Sequence, residues 1–293
     1  MNIAPEKKYA SKRHLSGFKA AAIVIFILFI LYAATLLYPL VWGFLSALKE
    51  KTEYMTTNKA AFPKDWLFVN FIRAFKALNI EGSSMPVMLL NSLWYTVGGT
   101  AAAISVSTMV AYAVAKYNFP GRKLLYWIAI VTMMLPIVGA LPSQFRMYSA
   151  LKIINSPLMI ITFASGFGFN FIVLHSFFKS LPFSYVEAGF IDGAGNFKCF
   201  VKLMLPQALP AVIALSVVSS IGFWNDYMGP LLFLENFPTL ASGLYMFQII
   251  NTRDLDLPVL FAGLLISMIP VLVLFVIFQN KIMDISLAGG LKG

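Results

Sequence analysis

The sequence has little cysteine, histidine and charge. Of its 293 residues, 1 is cysteine, 2 are histidine and 12% are charged. The single Cys199 excludes an internal disulfide and a metal site built from several cysteines. No Gly-x-x-x-x-Gly-Lys-[Ser/Thr] stretch occurs, so the chain cannot itself build a P-loop nucleotide site. Ser/His/Asp, Cys/His and His-Glu-x-x-His arrangements are also missing, which argues against an enzyme.

The sequence is instead rich in long apolar runs. Hydrophobic residues make up 59% of the chain and the mean hydropathy is +0.80, well outside the range of soluble domains. Each uncharged run reaches the ~20 residues that a helix needs to cross a bilayer. The runs are 20–48, 82–115, 124–145, 153–178, 203–225 and 257–280. They exclude a transmembrane barrel, whose strands would alternate over ~10 residues.

These runs predict an all-α integral membrane protein with six transmembrane helices. A polar, mobile tail is expected over 1–19 and one membrane domain over 20–293. The spans are predicted near 20–45, 88–115, 124–142, 157–178, 209–234 and 258–280. Proline residues at 136 and 142 are expected to interrupt the third span, and Gly166 and Gly168 to allow close helix packing in the fourth.

The distribution of positive charge predicts the orientation. If the N-terminus is inside, more than half of the 22 Lys and Arg residues lie in cytoplasmic segments. The positive-inside rule therefore places both termini, and the polar stretch 182–206, in the cytoplasm. The net charge of +10 follows largely from this asymmetry, so no nucleic-acid partner is expected.

The polar stretch 182–206 separates two apolar runs. Ser184 and Glu187 have the spacing of a capping box, which predicts a short helix. Gly193 stands where that helix would need a left-handed closing residue. On the residues alone, this stretch is either a functional loop or a capped amphipathic hairpin on the membrane surface.

A second short helix is predicted within the same stretch. Asn196 is placed to cap its first turn. Pro206 is expected to end it, because proline biases the preceding Leu205 away from helical geometry.

The stretch resembles the EAA signature of the permease subunits of binding-protein-dependent ABC importers, which reads Glu-Ala-Ala, three residues, Gly, nine residues, Ile-x-Leu-Pro. Both spacings hold, with matches at Glu187, Ala188, Gly193, Leu205 and Pro206. The third Ala is replaced by Gly189 and the Ile by Leu203. The resemblance implies a type I ABC importer permease fold in which this loop is the coupling helix that docks in a groove of a cytoplasmic ATPase. The residues implied in coupling are Glu187, Ala188, Gly189, Asp192, Gly193, Leu205 and Pro206.

Other patterns resemble the carbohydrate class of these permeases. They are Asn91-Ser92, Ala111-Tyr112-Ala113, Phe119-Pro120-Gly121-Arg122, Trp224-Asn225-Asp226 with Pro230-Leu231-Leu232, and the closing 289–293. The resemblance extends from about Asn91 to the end of the chain.

Asp226 interrupts the fifth apolar run. A charge at the centre of a bilayer costs ~2.5–3.5 kcal/mol and less near the rim, so Asp226 should face protein or water. Trp224 can offer a ring face to a sugar, and Asn225 and Asp226 can bond hydroxyl groups. Asn170 is added as a polar residue on the predicted path. The alternative is a helix end pinned by an interfacial aromatic residue and a polar cap.

The segment 46–85 joins the first two spans on the predicted outer face. Within it, Phe71, Ala74, Phe75 and Leu78 recur at helical spacing after Asn70, a plausible cap. We expect an amphipathic helix that either packs against the spans or contacts a partner protein.

The sequence thus predicts the permease subunit of an ATP-driven importer that moves a sugar, an oligosaccharide, into the cytoplasm. The resemblance implies a second permease subunit in a heterodimer, two ATP-binding subunits and an extracytoplasmic sugar-binding protein. They would act in the cytoplasmic (inner) membrane of a bacterium or archaeon. The chain itself is expected to hold no cofactor, with ATP and Mg on the partner subunits. The sequence does not decide whether the sugar is neutral or acidic. Arg146, Lys152 and Arg253, near the predicted outer mouth, would suit an acidic saccharide such as alginate, but anchoring to lipid headgroups explains them as well.

Two alternatives remain. A permease of the same class could carry another small solute. An ATP-independent secondary transporter would need no ATPase and should show charged relays within the membrane.

Overall fold

The computed structural model describes residues 7–80, 82–135, 139–250 and 255–290, which are mostly helical. The helices are α1 (Lys7–Ala47), α2 (Lys51–Thr56), α3 (Val69–Ala77), α4 (Met85–Lys116), α5 (Arg122–Met134), α6 (Leu141–Ala150), α7 (Phe169–Ser180), α8 (Ser184–Ile191), α9 (Asn196–Cys199), α10 (Leu205–Asn225), α11 (Met228–Phe233), α12 (Leu240–Ile250) and α13 (Leu257–Gly290). Two short strands, β1 (Asn79–Ile80) and β2 (Ser83–Ser84), pair antiparallel, Asn79 with Ser84 and Ile80 with Ser83. The all-α class is confirmed.

The fifth span, predicted at 209–234, is too long, because its helix ends at Asn225 and a separate short helix, α11, follows the break. With that correction, four of the predicted spans lie in continuous helices in the described part of the chain. They cover Ala21–Ala47, Met85–Lys116, Asn196–Asn225 and Leu257–Asn280, and each is long and apolar enough to cross a membrane. Their length matches the ~20 residues that a bilayer requires.

The third and fourth predicted spans are divided instead. The apolar run at 124–142 gives α5 and then α6, which has Pro142 in its first turn, a position where proline's missing N–H is no loss. Pro136 lies outside the described residues. The run at 157–178 gives a 3₁₀ helix over Pro157–Phe163 and then α7, with Gly168 between them at φ +119°. A hydropathy profile measures the length of an apolar run and does not detect a break in the helix within that run.

The predicted tail 1–19 is shorter in the structure, because α1 begins at Lys7. Residues 1–6 lie outside the described part of the chain. Helix formers such as Lys and Ala dominate the first turns, and their side chains lose little freedom in a helix.

The chain divides into two compact units, Met1–Ile72 with Asp256–Leu265, and Arg73–Leu255 with Ile266–Gly293. In the first unit, Asn70 is buried and donates from Nδ2 to the carbonyls of Ala47 (2.9 Å) and Lys49 (2.8 Å). Asn70 lies inside α3 rather than at its cap, so the predicted helix is correct and its predicted cap is wrong. The amide holds the chain close to the end of α1.

The second unit is built around α4. A core of buried side chains joins α4 to α5, α7, α8 and α10; it includes Tyr112, Phe171, Phe178 and Leu215. The segment between the 3₁₀ helix and α7 approaches α4 closely at Gly166, where a Cβ would lie 2.8 Å from Val110 Cγ2. Small residues at such contacts let apolar helices pack in a bilayer, where the hydrophobic effect offers no drive for association.

The N-terminal half of α4 also holds the start of α12. Asn91 Nδ2 donates to the carbonyl of Pro238 at 3.0 Å, and Ser92 Oγ accepts from the N–H of Leu240 at 2.7 Å. The N–H groups of a first helical turn have no partner within the helix. Ser92 therefore accepts a hydrogen bond from a buried N–H group of α12 that would otherwise have no partner.

We expect Ser92→Ala to lower the free energy of unfolding by about 1–3 kcal/mol, because it leaves the buried N–H of Leu240 without a partner. The matched control is Ser105→Ala on the same helix, since Ser105 is exposed and bonds only the carbonyls of its own helix. Thermal unfolding of both variants in detergent measures the difference. Equal midpoints would contradict the role given to Ser92.

Candidate functional site

The helix α8 ends in a left-handed glycine. Gly193 has φ +75°, its N–H donates to the carbonyl of Phe190 at 3.0 Å, and the N–H of Ala194 donates to the carbonyl of Gly189 at 2.8 Å. This pair of bonds defines a Schellman motif, in which glycine avoids the Cβ penalty of the left-handed conformation. The predicted closing geometry of Gly193 is confirmed.

The predicted caps of this segment are wrong. Ser184 is already the first residue of α8, Phe183 is the N-cap in helical geometry, and no side-chain cap bond forms. Asn196 is likewise inside α9, with Gly195 as an N-cap that also has no side-chain bond. The side-chain types suited a capping box, but each helix begins one residue earlier than its cap would require.

Pro206 does not end the second helix. A π turn over Phe200–Met204 carries the chain from α9 directly into α10, and the N–H of Leu205 donates to the carbonyl of Phe200, five residues back. Pro206 then falls in the first turn of α10. The wider π turn makes room for a ring that would otherwise meet the carbonyl four residues before it.

The segment is anchored by its buried side chains. Val186, Cys199, Phe200 and Met204 lie in the same core as α4 and α7. Where the segment begins, Lys116 Nζ at the end of α4 donates to the carbonyl of Leu181. The loop 182–206 is therefore a fixed part of the second unit and not a free surface hairpin.

The two departures from the EAA signature lie in contact. A Cβ added at Gly189 would be 2.7 Å from Leu203 Cδ1 and 2.8 Å from Cys199 Sγ. Cys199 is completely buried, so its sulfur has little room to move. Glycine thus replaces alanine at 189 because side chains from 199 and 203 occupy the space of the missing methyl group.

The remaining signature residues face outward. Glu187, Ala188, Asp192 and Gly193 are exposed, Leu205 is half-buried and Pro206 is exposed. Several large apolar side chains are also exposed here, and the two most exposed are Ile191 (86%) and Phe197 (72%). The sequence did not single out Ile191 or Phe197, although an apolar residue beside a predicted polar turn was a visible signal.

Asp226 lies where α10 ends, and its carboxylate is bound within the protein. Oδ2 accepts from the hydroxyl of Tyr95 at 2.6 Å, and Oδ1 accepts from the N–H of Gly229 at 3.0 Å. Tyr95 is fully buried on α4. Asp226 therefore joins α4 to the break between α10 and α11, as in the alternative of a helix end pinned by a polar cap.

Sequence reasoning missed Tyr95 and Gly229. A Cβ at 229 would lie 2.5 Å from Asp226 Oδ2 and 2.9 Å from the hydroxyl of Tyr95, so only glycine leaves room for this contact. The Asp-x-x-Gly spacing was a local signal, since an acid often accepts from an N–H three residues on at a helix start. Tyr95 gave no signal, because it is 131 residues away in the chain.

The other three predicted path residues bond within the protein. Trp224 is buried (7% exposed) and its Nε1 donates to the carbonyl of Ser267 at 3.0 Å, so its ring face is not open to a sugar in this conformation. Asn225 is exposed and donates to the carbonyl of Ile221 at 2.9 Å. Asn170 donates to Ser219 Oγ at 3.2 Å and so joins α7 to α10.

A groove of about 390 Å³ lies between α4 and α10, and Phe197 and Phe200 also line it. Its hydroxyl groups mostly bond their own helices: Ser105 to Ala101, Thr108 to Ile104 and Ser216 to Val212. The wall is consequently apolar. Within the described ranges, no cluster of three His, Cys, Asp or Glu residues could hold a metal ion.

Residues 103–283, more than half of the chain, match the family described as "Binding-protein-dependent transport system inner membrane component". The chain belongs to this family. Membership confirms the predicted recognition as the permease, or membrane, subunit of an ATP-driven importer, and it implies a partner ATPase and a binding protein. This permease is thus an inner-membrane component.

Curated relatives are similar over most of their length. The permease is 29% identical to the diacetylchitobiose uptake system permease of Streptomyces coelicolor, over 87% of this chain and 84% of the relative. It is 28% identical to the sulfoquinovosyl glycerol transport system permease of Agrobacterium fabrum, over 88% and 89%. A solved chain described as part of a bacterial ABC transporter that imports the acidic polysaccharide alginate superposes with a TM-score of 0.75, at 22% identity over 94% of this chain and 99% of that chain. The last likeness confirms the permease fold.

We expect Gly189→Ala to destabilise the packing of α8 on α9 by about 1–3 kcal/mol, because the added methyl group overfills the site. Cys199→Ala in the same chain should restore most of this loss, since Leu203 is only half-buried and can rotate away. Thermal unfolding of the single and double variants measures both effects. The control is Gly195→Ala, where a Cβ meets nothing within 4 Å. If Gly189→Ala unfolds at the same temperature as the control, the space around residue 189 accommodates a methyl group and the packing explanation is wrong.

We expect Asp226→Ala to impair assembly, because it leaves the buried hydroxyl of Tyr95 and the N–H of Gly229 without their acceptor, about 1–3 kcal/mol for each such group. Tyr95→Phe should be milder, since the partly exposed carboxylate keeps its bond to Gly229. Asn225→Ala is the control on the same helix end. Membrane yield and thermal unfolding measure stability, and uptake is measured in parallel. Normal stability with abolished uptake in Asp226→Ala would favour the sugar-binding role instead.

Proposed function

We propose that this permease moves an oligosaccharide into the cytoplasm as one half of a heterodimer with a second permease subunit. Two ATP-binding subunits would carry ATP and Mg and perform hydrolysis, and the chain itself would hold no cofactor and catalyse no reaction. An extracytoplasmic binding protein would deliver the sugar. Both termini and the loop 182–206 would face the cytoplasm, as the positive-inside distribution favours.

The observation that carries this proposal is the form of the loop 182–206. Ile191 at the end of α8 and Phe197 in α9 present apolar side chains to solvent. Gly193 closes α8, and the buried side chains of both helices lie in the core of the second unit. Exposed apolar groups on a rigid support are typical of a surface that a partner covers. An ATPase groove that receives this projection accounts for both the exposure and the rigidity.

The sugar cargo is supported by the relatives' names and by the resemblance of several sequence patterns to the carbohydrate class. Arg146 and Lys152 are exposed at α6 and the turn after it. Their positive charges would suit an acidic saccharide, so the proposal includes acidic as well as neutral oligosaccharides. Arg253, the third cation considered, lies outside the described residues. Because the groove along α4 and α10 is apolar, the second permease would supply much of the polar contact to the sugar.

The complete importer, reconstituted in proteoliposomes with its binding protein, tests the proposal. We expect uptake of at least one oligosaccharide from a panel of neutral and uronic-acid oligomers, and we expect it to stop without ATP. Uptake that continues without the ATPase subunits would favour a secondary transporter. ATP-dependent uptake of other solutes alone would favour the same class of importer with a different cargo.

Gly193→Ala tests the coupling role of the loop. Alanine in the left-handed conformation costs ~1–2 kcal/mol, so the variant should assemble in the membrane but bind its ATPase poorly, or hydrolyse ATP without moving sugar. Gly195→Ala is a matched control, because a Cβ meets nothing within 4 Å at either position and Gly195 has an ordinary φ of −75°. Near-native, equal transport by both variants would show that coupling does not depend on this backbone geometry.

A further inference from the structure

Four large apolar side chains lie exposed just beyond the end of α1. They are Trp66 (51%), Phe68 (59%), Val69 (41%) and Ile72 (61%), and we refer to them as the collar. They belong to the first unit. Two exposed charged residues, Lys64 and Asp65, directly precede Trp66.

Hydrogen bonds fix the depth of the collar relative to α1. The N–H of Leu67 donates to the carbonyl of Leu48 at 2.9 Å. Asn70 bonds the carbonyls of Ala47 and Lys49. The rings of Phe44 and Phe71 have centroids 6.4 Å apart. The collar residues therefore lie level with the last turn of α1 and do not project away from it.

That level corresponds to the edge of a bilayer. The apolar part of α1, Ala21–Ala47, has 27 residues and is about 40 Å long at ~1.5 Å per residue. The hydrocarbon core is about 30 Å thick and the bilayer with headgroups about 40–45 Å. The final turn of α1 consequently lies in the headgroup region. The most apolar 18-residue window of α1 is not buried by other residues of the chain.

A second set of contacts holds the preceding loop at the same level. The carbonyl of Lys59 accepts from Trp42 Nε1 at 3.2 Å and from Lys49 Nζ at 3.0 Å. Trp42 is within the last two turns of α1. Lys49 is almost fully buried, and its ammonium group donates hydrogen bonds to backbone carbonyls of the loop instead of facing solvent. The chain from 57 to 72 is thereby held against the end of the span.

From this geometry we propose that the collar is a lipid-binding surface that inserts into the headgroup and acyl boundary of the leaflet where α1 ends. Aromatic side chains are enriched at this depth because their rings are amphipathic, and interfacial helices bury their apolar face ~5–10 Å into the same boundary. Lys64 can extend its ammonium group to phosphate while its methylene stem stays with the collar. The chemistry recognised is that of a phospholipid interface.

Spin labels test the proposal in the assembled importer, in nanodiscs of phosphatidylcholine with phosphatidylglycerol. Single cysteines at Phe68 and Ile72 are introduced in a Cys199→Ala background, with Thr52 on α2 as the exposed polar control. We expect labels at 68 and 72 to collide more with oxygen, which partitions into lipid, than with a water-soluble nickel chelate. The control should show the reverse. Greater nickel access at 68 and 72, or access of neither reagent, would overturn the proposal in favour of water or of a covering protein subunit.

A second measurement keeps the native side chains. The emission of Trp66 is obtained as the difference between the unsubstituted importer and Trp66→Phe. We expect phosphatidylcholine brominated near the headgroup end of its acyl chain to quench this emission more strongly than lipid brominated deep in the chain. Absence of quenching by either lipid would contradict insertion. Neither experiment uses sugar or ATP, so its outcome is independent of the proposed cargo.

Discussion

Inside a bilayer, every backbone N–H and C=O group needs a partner within the protein, and this constraint explains where the structure places its few polar side chains. Continuous helices meet it by themselves. At helix ends, a side chain can supply the missing hydrogen-bond partner. Asp226 accepts a hydrogen bond from the N–H of Gly229 where α10 ends, and Ser92 accepts one from the N–H of Leu240 where α12 begins. These two polar residues of the apolar sequence thus mark helix ends.

Local patterns predicted local features well. Apolar length predicted the helical class and six spans, of which four lie in continuous helices in the described part of the chain, and the position of Gly193 predicted its left-handed conformation. The end expected at Pro206 failed for a tertiary reason: Phe200 and Met204 are buried in the core, and packing favours a helix that continues through a π turn. The breaks in the third and fourth runs depend on backbone geometry that hydropathy does not register.

The candidate site was predictable residue by residue but not in its contacts. An acid at 226 in an apolar run is conspicuous, yet its partner Tyr95 comes from another helix, and periodicity within one segment cannot reveal that pairing. The two departures from the EAA signature are a similar case. Each of Gly189 and Leu203 is a mild exchange alone, and only the fold shows that one makes space for the other.

The absence of a loop between α9 and α10 has a mechanical consequence. Asn196–Asn225 forms a single helical rod of 30 residues, about 45 Å long at ~1.5 Å per residue. Two positions within this rod depart from regular helical hydrogen bonding, the widened turn over Phe200–Met204 and Pro210 inside α10, which has no N–H to donate. At the far end of the rod, Asp226 accepts a hydrogen bond from the hydroxyl of Tyr95. Bending of this helix is therefore expected at the widened turn and at Pro210 and not in a connecting loop.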